Sequence, residues 1–461
     1  MTLTCGVISQ ESAAFKMTST DGIGSMKLPD NCECTPSISK NFDYYSPIPV
    51  ENSQGAFFEE RVTPTNGLAS DPYEFVFESM GDHFMMLNTM HMVVKAKITH
   101  SDGRKLLKND EIGPVNNMLN SMWETVETRL NDVVINPATS YNIPYKSMIE
   151  NILSLHDSKQ SFIQPSMFVM DSGKSFDITN DANLGFKRRK AMITVDTTDH
   201  IFEMAGPICN NFLRSENHLA PGNKLSLRFT RASDAFCLMA GGNKRAKMDI
   251  LDIALYVRRI RLSSNALKSV LKLNTDQKYL TAYTEVREYP LTTGIRNWRV
   301  RITAGGHIPK QVVVGFVLTE ARMGSFSKNP FNFQHFNLSS INLKKNGTRI
   351  PQEPLTPDFA RGRCQREYNH LFMNTGKYRT NSTNCITIDN FKNGCTLFPF
   401  DVTVDQCNMH HMHAGSEGTL DVEVSWQKAL EEAITVIVYS ASNQAIMVNP
   451  NTGVAPTVSI F

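Results

Sequence analysis

Apolar and polar residues alternate with period two in segment after segment of this chain, and that pattern commits it to β-sheet. Leu420, Val422, Val424 and Trp426 alternate with Asp421, Glu423 and Ser425, which puts all four apolar side chains on one face of a strand. Met92, Val94, Ala96 and Ile98 alternate with His91, Val93, Lys95 and Lys97, a half-buried pleat whose outer face carries lysines. Trp298, Val300 and Ile302 alternate with Arg299 and Arg301, and Tyr256, Ile260 and Leu262 share a run with Arg258, Arg259 and Arg261. Residues 312–318 and 434–439 are apolar on both faces, as central strands covered on both sides are. Asn131-Asp132, Lys345-Asn346-Gly347 and Lys392-Asn393-Gly394 fall between strand-like runs and predict hairpins.

Helix is the minority. Pro144 suits the first turn of a helix over residues 144–155, with Met148, Ile149, Ile152 and Leu155 on one face. Met118, Met122, Val126 and Leu130 fit a helical stripe, yet 125–129 also suits a strand. A short helix near 119–123 followed by a strand from about Glu124 reconciles the two. Many short strands with Gly, Pro and Asn turns indicate an all-β sandwich or jelly roll rather than a doubly wound sheet. At 461 residues the chain has room for two or three domains.

Charge narrows the function. The chain has 47 Lys+Arg against 45 Asp+Glu, a formal net charge of +2, which excludes a chain that coats nucleic acid electrostatically. Residues 1–50 form a polar arm with Lys16, Lys27 and Lys40 against Glu11, Asp21, Asp30, Glu33 and Asp43, so it is no basic tail either. It reads as an extended arm or as a segment that orders against a neighbouring subunit. No apolar run approaches the roughly 20 residues that a membrane span needs. Residues 1–20 lack the basic and apolar regions of a signal peptide, and the nine cysteines are odd in number and sparse. Free thiols in a reducing compartment are therefore expected, with the sequons at Asn337, Asn346 and Asn381 as chance matches.

Little in the sequence suggests catalysis. His411, His413 and Glu417 match the H-x-H-x-x-x-E core of a cupin metal site. The match fails around them: Asp405 and Val424 stand where glycines are expected, and no histidine follows His413. Cys32-x-Cys34 has the wrong spacing for a zinc knuckle, and Cys385 and Cys395 flank a predicted hairpin as small core residues. No nucleophile elbow, P-loop, dinucleotide fingerprint or zincin motif is present. Two basic runs, Lys187-Arg188-Arg189-Lys190 and Lys244-Arg245-Ala246-Lys247, read either as solvated loops or as local contacts with DNA phosphate or with an acidic patch on another subunit.

Longer segments carry a resemblance. KQVVVGFVL from Lys310, ARMGSFSKNPFNF from Ala321 and FNLSSINLKKNGTRIP from Phe336 are similar to the major capsid proteins of Polinton/Maverick elements and adintoviruses. So are FPFD from Phe398, GTLDVEVSW from Gly418 and TVIVY from Thr435. In the first half WETVETRLNDVVIN from Trp123, YKSMIE from Tyr145, residues 249–262 and Glu288-Tyr-Pro290 continue it. The similarity spans roughly residues 70–450 and is strongest from 290 onward.

This resemblance implies a double jelly roll, two eight-stranded antiparallel sandwiches in one chain with short helical insertions. The expected division is an arm over 1–55, a first roll over 56–278 and a second over 279–461, with a break at 268–290. It further implies a homotrimer tiling an icosahedral shell around double-stranded DNA, a minor or penton capsid protein as partner, and location in the virion. Neither cofactor nor enzymatic activity is implied. Loops 157–225 and 352–384 are expected to build the outer tower and subunit contacts. Phe326, Phe331, Phe333 and Phe336 are candidates for a subunit interface or for packing beneath their own loop. Two other readings compete: a cupin-like metal protein using His411 and His413, and a carbohydrate-binding β-sandwich for attachment.

Overall fold

Burial follows the alternation. In the strand His83–His100, Met92, Val94, Ala96 and Ile98 are all buried, while Lys95 faces outward toward Glu203 at 3.8 Å. The computed structural model describes residues 54–460 apart from 70, 108, 137–141, 155–156, 196–198, 273–275, 304–305, 381–382, 385, 405–414 and 450–455. Most of the polar arm, Cys32, Cys34, Cys385, His411 and His413 therefore lie outside the described residues.

Beside a short separate pair, Ile112–Pro114 with Leu238–Ala240, the first half has eight main strands: β1 Gln54–Val62, β2 Tyr73–Phe77, β3 His83–His100, β4 Trp123–Leu130, β5 Val133–Asn136, β6 Ile201–Pro207, β7 Leu225–Arg231 and β8 Ala246–Leu262. They pair antiparallel in two sheets, ordered β1-β8-β3-β6 and β2-β7-β4-β5. Eight more follow: β9 Gln277–Leu291, β10 Asn297–Arg301, β11 Gln311–Leu318, β12 Leu338–Lys345, β13 Thr348–Leu355, β14 Leu397–Asp401, β15 Leu420–Trp426 and β16 Ile434–Val448. Their sheets are ordered β9-β16-β11-β14, with the short strand Thr457–Ile460 also paired to β16, and β10-β15-β12-β13. The second order is the first shifted by eight. Each half is a jelly roll, and the chain is a double one.

β11 lies between β14 and β16, and residues Val312–Leu318 are buried on both faces, as their unbroken apolar run demands. The helix α1, Ile143–Ser154, buries Met148, Ile149 and Ile152 along the stripe that predicted it. A four-residue helix, Met118–Ser121, precedes β4. Asn131-Asp132 and Asn346-Gly347 each join strands with both residues at positive φ (50° and 64°, 49° and 85°), the type I′ turn that suits the twist of a hairpin.

Four expectations need correction. Lys392-Asn393-Gly394 is no hairpin: it ends a short helix, Ile388–Lys392, whose cap Thr387 accepts a hydrogen bond from the Asn390 amide. The span 157–225 is more than loop, since it holds the helix α2, Leu184–Ile193, and the strand β6. The basic run 187–190 sits on α2 rather than in a loop. Residues 277–291 are strand β9, paired along their whole length with β16, so the joint falls at 263–276 with helix α3, Ser264–Lys272. That strand's many polar residues disguised it, because it is an edge strand with a mixed burial pattern.

Antiparallel strands alternate direction, so the connections sort onto two ends of each roll. One end carries the two-residue turns at 131–132 and 346–347. The other carries the long connections 101–122 and 137–200 of the first roll and 319–337 and 356–396 of the second. The two insertion-bearing ends lie together, as the bond from Ala240 N to Phe326 O at 2.7 Å requires.

Candidate functional site

The insertions of the two rolls meet in a buried junction. Tyr145 of α1 packs edge-on against Phe236, Phe331 and Phe333, with ring centroids at 6.1, 5.8 and 6.1 Å. Phe331 and Phe333 are 0% exposed, so the chain's own core encloses both of these proposed contact residues. Phe326 and Phe336 are only partly buried.

Polar groups cross the same junction in three places. The carboxylate of Asp171 accepts from Arg189 of α2 at 2.7 Å and from Asn329 of the second roll at 3.1 Å. Asp177 accepts from the Asn329 backbone at 2.7 Å and the Asn332 side chain at 2.9 Å. Glu288 of β9 accepts from Asn142 and from Arg322, each at 2.6 Å. Beyond these, Glu150 of α1 accepts from Arg214 at 2.7 Å and from Tyr439 of β16 at 3.2 Å. Burial pushes the Glu150 carboxyl up, but Arg214 and Lys146 outweigh it and hold the group below its ordinary value. Sequence reasoning singled out Arg189 only as part of a basic run and missed Asp171, Asp177, Asn329 and Asn332, because single polar side chains in loops carry no periodicity.

The basic runs are largely occupied. Arg189 is fully buried on Asp171 and on backbone carbonyls, Lys187 pairs with Asp181 at 3.0 Å, and Lys244 with Asp110 at 2.8 Å. Lys247 pairs with Asp249 at 3.4 Å, which leaves Arg188, Lys190 and Arg245 without an ion pair among the described residues. All of these residues stand at or beside the insertion-bearing end.

Glu417 lies in a short strand, Ser416–Glu417, opposite His307, and its proposed partners His411 and His413 lie outside the described residues. Among the described residues no group of three His, Cys, Asp or Glu side chains converges. Cys209, Cys237 and Cys364 are buried free thiols, and burial pushes Cys209 up to about 11 and Cys237 up to about 12. Thiols of that kind stay protonated and unreactive at neutral pH. Among the described residues no helix is long and apolar enough to cross a membrane.

No protein-family model matches the chain. A Caenorhabditis elegans protein, F54H12.2, described only as uncharacterized, is 23% identical over 350 residues, covering 73% of this chain and 81% of that one. Among solved structures, a chain of the Sputnik virophage superposes with a TM-score of 0.61 at 10% identity, over 93% of each chain. The Faustovirus major capsid protein gives 0.56 at 7% identity, over 90% of this chain and 93% of its own. The mavirus major capsid protein gives 0.53 at 9% identity, over 96% and 97%. This is the double jelly-roll fold of viral major capsid proteins. Matches of that extent take in both rolls and the joint, so the double jelly roll is shared from end to end rather than roll by roll.

Proposed function

We propose that the chain is the major capsid protein of a Polinton/Maverick element or adintovirus, forming homotrimers of pseudo-hexagonal outline. The observation that carries this reading is the eight-strand order repeated in one chain. Three such chains supply six similar rolls around a threefold axis, enough for the sides of a near-hexagonal tile. The tiles build an icosahedral shell around double-stranded DNA in the virion, with a minor or penton capsid protein at the fivefold positions. In this assembly the arm, the first roll and the second roll act as three modules, the second roll beginning with β9 after the joint at 263–276 that carries α3.

The insertion-bearing end faces outward, because long variable connections suit exposed binding surface and short turns suit a uniform inner floor. The basic runs then face outward too. Arg188, Lys190 and Arg245 contact acidic patches on neighbouring subunits in preference to packaged DNA, and of the four candidate phenylalanines Phe326 is the one left to touch another chain, since Phe336 lines a cleft between the insertions.

Light scattering of the purified protein tests the trimer, and electron microscopy tests the lattice. The expected result is a particle of three times the chain mass that forms hexagonal arrays or closed shells. A stable monomer that never assembles at high concentration would overturn the reading.

A further inference from the structure

A cleft of about 530 Å³ opens where the insertions of the two rolls meet, and the capsid role leaves it unused. The first roll supplies Lys174 and residues 176–178, and the second supplies Asn332 and residues 334–337 and 392–394. Its walls are joined by the bond from Lys174 N to Asn393 O at 3.4 Å, and Phe176 sits over Gly394 where any side chain would clash. Four residues around it hold left-handed backbone: Lys174 (φ 67°), Phe336 (φ 44°), Asn337 (φ 53°) and Gly394 (φ 115°). A bulky residue such as phenylalanine is costly in that region, and such conformations gather at binding sites, where the surrounding structure enforces them.

The lining has a definite chemistry. Lys174 and Lys392 bring two ammonium groups with no ion pair among the described residues. The one acid, Asp177, has each of its oxygens occupied, by Asn329 and Asn332. His335 is stacked on Phe359 at 4.1 Å, and burial pushes its pKa down, so it adds no charge at neutral pH. The remaining polar lining is amide, from Asn332, Gln334 and Asn337, beside the half-buried ring of Phe336. Amides offer donor and acceptor side by side, as paired hydroxyls do, and an aromatic ring offers an apolar face.

We propose that this cleft binds an anionic saccharide, a sugar bearing a carboxylate or sulfate held between Lys174 and Lys392. A free phosphate would use the lysines but leave the amides and the ring idle. The outward placement of the cleft rests on the capsid reading; binding by the purified chain does not, so the two can fail separately.

The test is titration of the full chain with 3′-sialyllactose, with a sulfated disaccharide and with neutral lactose, followed by calorimetry and by saturation-transfer NMR. One of the two charged sugars binds, lactose binds at least about tenfold more weakly, and added salt weakens the complex. Lys174→Gln with Lys392→Gln lowers affinity by about tenfold or more while particle formation, checked by electron microscopy, is unchanged. Equal binding of lactose, no binding of either charged sugar, or full affinity in the double variant would each overturn the proposal. Lys174→Glu alone guards against misfolding of the double variant, since Lys174 is exposed and its substitution disturbs no packing.

Discussion

Asn329, in the second roll, donates its side-chain amide to the carboxylate of Asp171, in the first, at 3.1 Å. The same carboxylate receives Arg189 at 2.7 Å, and Arg189, Asp171 and Asn329 are all buried. The ion pair that fixes α2 is thus completed by the other half of the chain. A buried carboxylate with one partner missing keeps lone pairs that neither water nor protein satisfies, so the two rolls hold each other in register through this group.

Removing the acid strands a buried guanidinium. Asp171→Ala lowers the unfolding free energy by about 3–5 kcal/mol. Asn329→Ala costs about 1–3 kcal/mol. In urea unfolding the double variant loses less than the two single losses added together, because the pair interacts; strict additivity would show that they do not.

Gly185 lies in the first turn of α2, where an added Cβ would meet the Met170 carbonyl and the Asp171 backbone. Neither is a flexible side chain that can swing aside. Gly185→Ala therefore destabilises the chain by about 1–3 kcal/mol despite alanine's better helix propensity. A melting temperature equal to that of the parent protein would refute the close approach.

Phe331→Ala removes a fully buried ring from the junction and lowers stability by about 3–5 kcal/mol. The ring touches Tyr145 and Phe236 within the same chain, so the loss is the same at low and high protein concentration. A loss that shrinks on dilution would assign the ring to a subunit contact instead.

Acid weakens the second roll through the sheet β10-β15-β12-β13. Burial pushes the Asp421 carboxyl up, but hydrogen bonds from Arg299 and Arg301 outweigh it and hold the group below its ordinary value; Glu423 is held down likewise by Lys344. A depressed folded value means that the stabilisation is complete above the unfolded value, about 4, and is lost as pH falls from there toward the folded value. The urea midpoint of the parent protein therefore drops between about pH 6 and pH 3, and Asp421→Asn, which has already lost this contribution, drops less. Equal drops in both would place the acid sensitivity elsewhere.

The sheets were legible because alternation is a repeated signal. Leu420, Val422, Val424 and Trp426 needed only period two to declare a face, and 312–318 needed only length and continuity. The type I′ turns announced themselves through Asn-Asp and Asn-Gly. β9 did not, since Thr281, Glu285, Arg287 and Glu288 give an edge strand the look of a linker. The junction was hidden for another reason: Asp171, Asn329 and Glu288 act through partners more than a hundred residues away, which no local pattern encodes. Phe331 and Phe333 stood out as aromatic, but composition cannot tell a core ring from an interface ring.

The unequal ends of the rolls set different rules for sequence change. Residues inserted at an exposed point of a long connection such as 137–200 or 356–396 leave every ladder intact, and doubling a flexible loop adds only about 0.6 kcal/mol of closure entropy. One residue added at 131–132 or 346–347 shifts the register and turns an apolar face toward water. The two-residue turns count their residues and the exposed stretches of the long connections do not, so lineages of this chain can differ widely in outline while keeping both sandwiches.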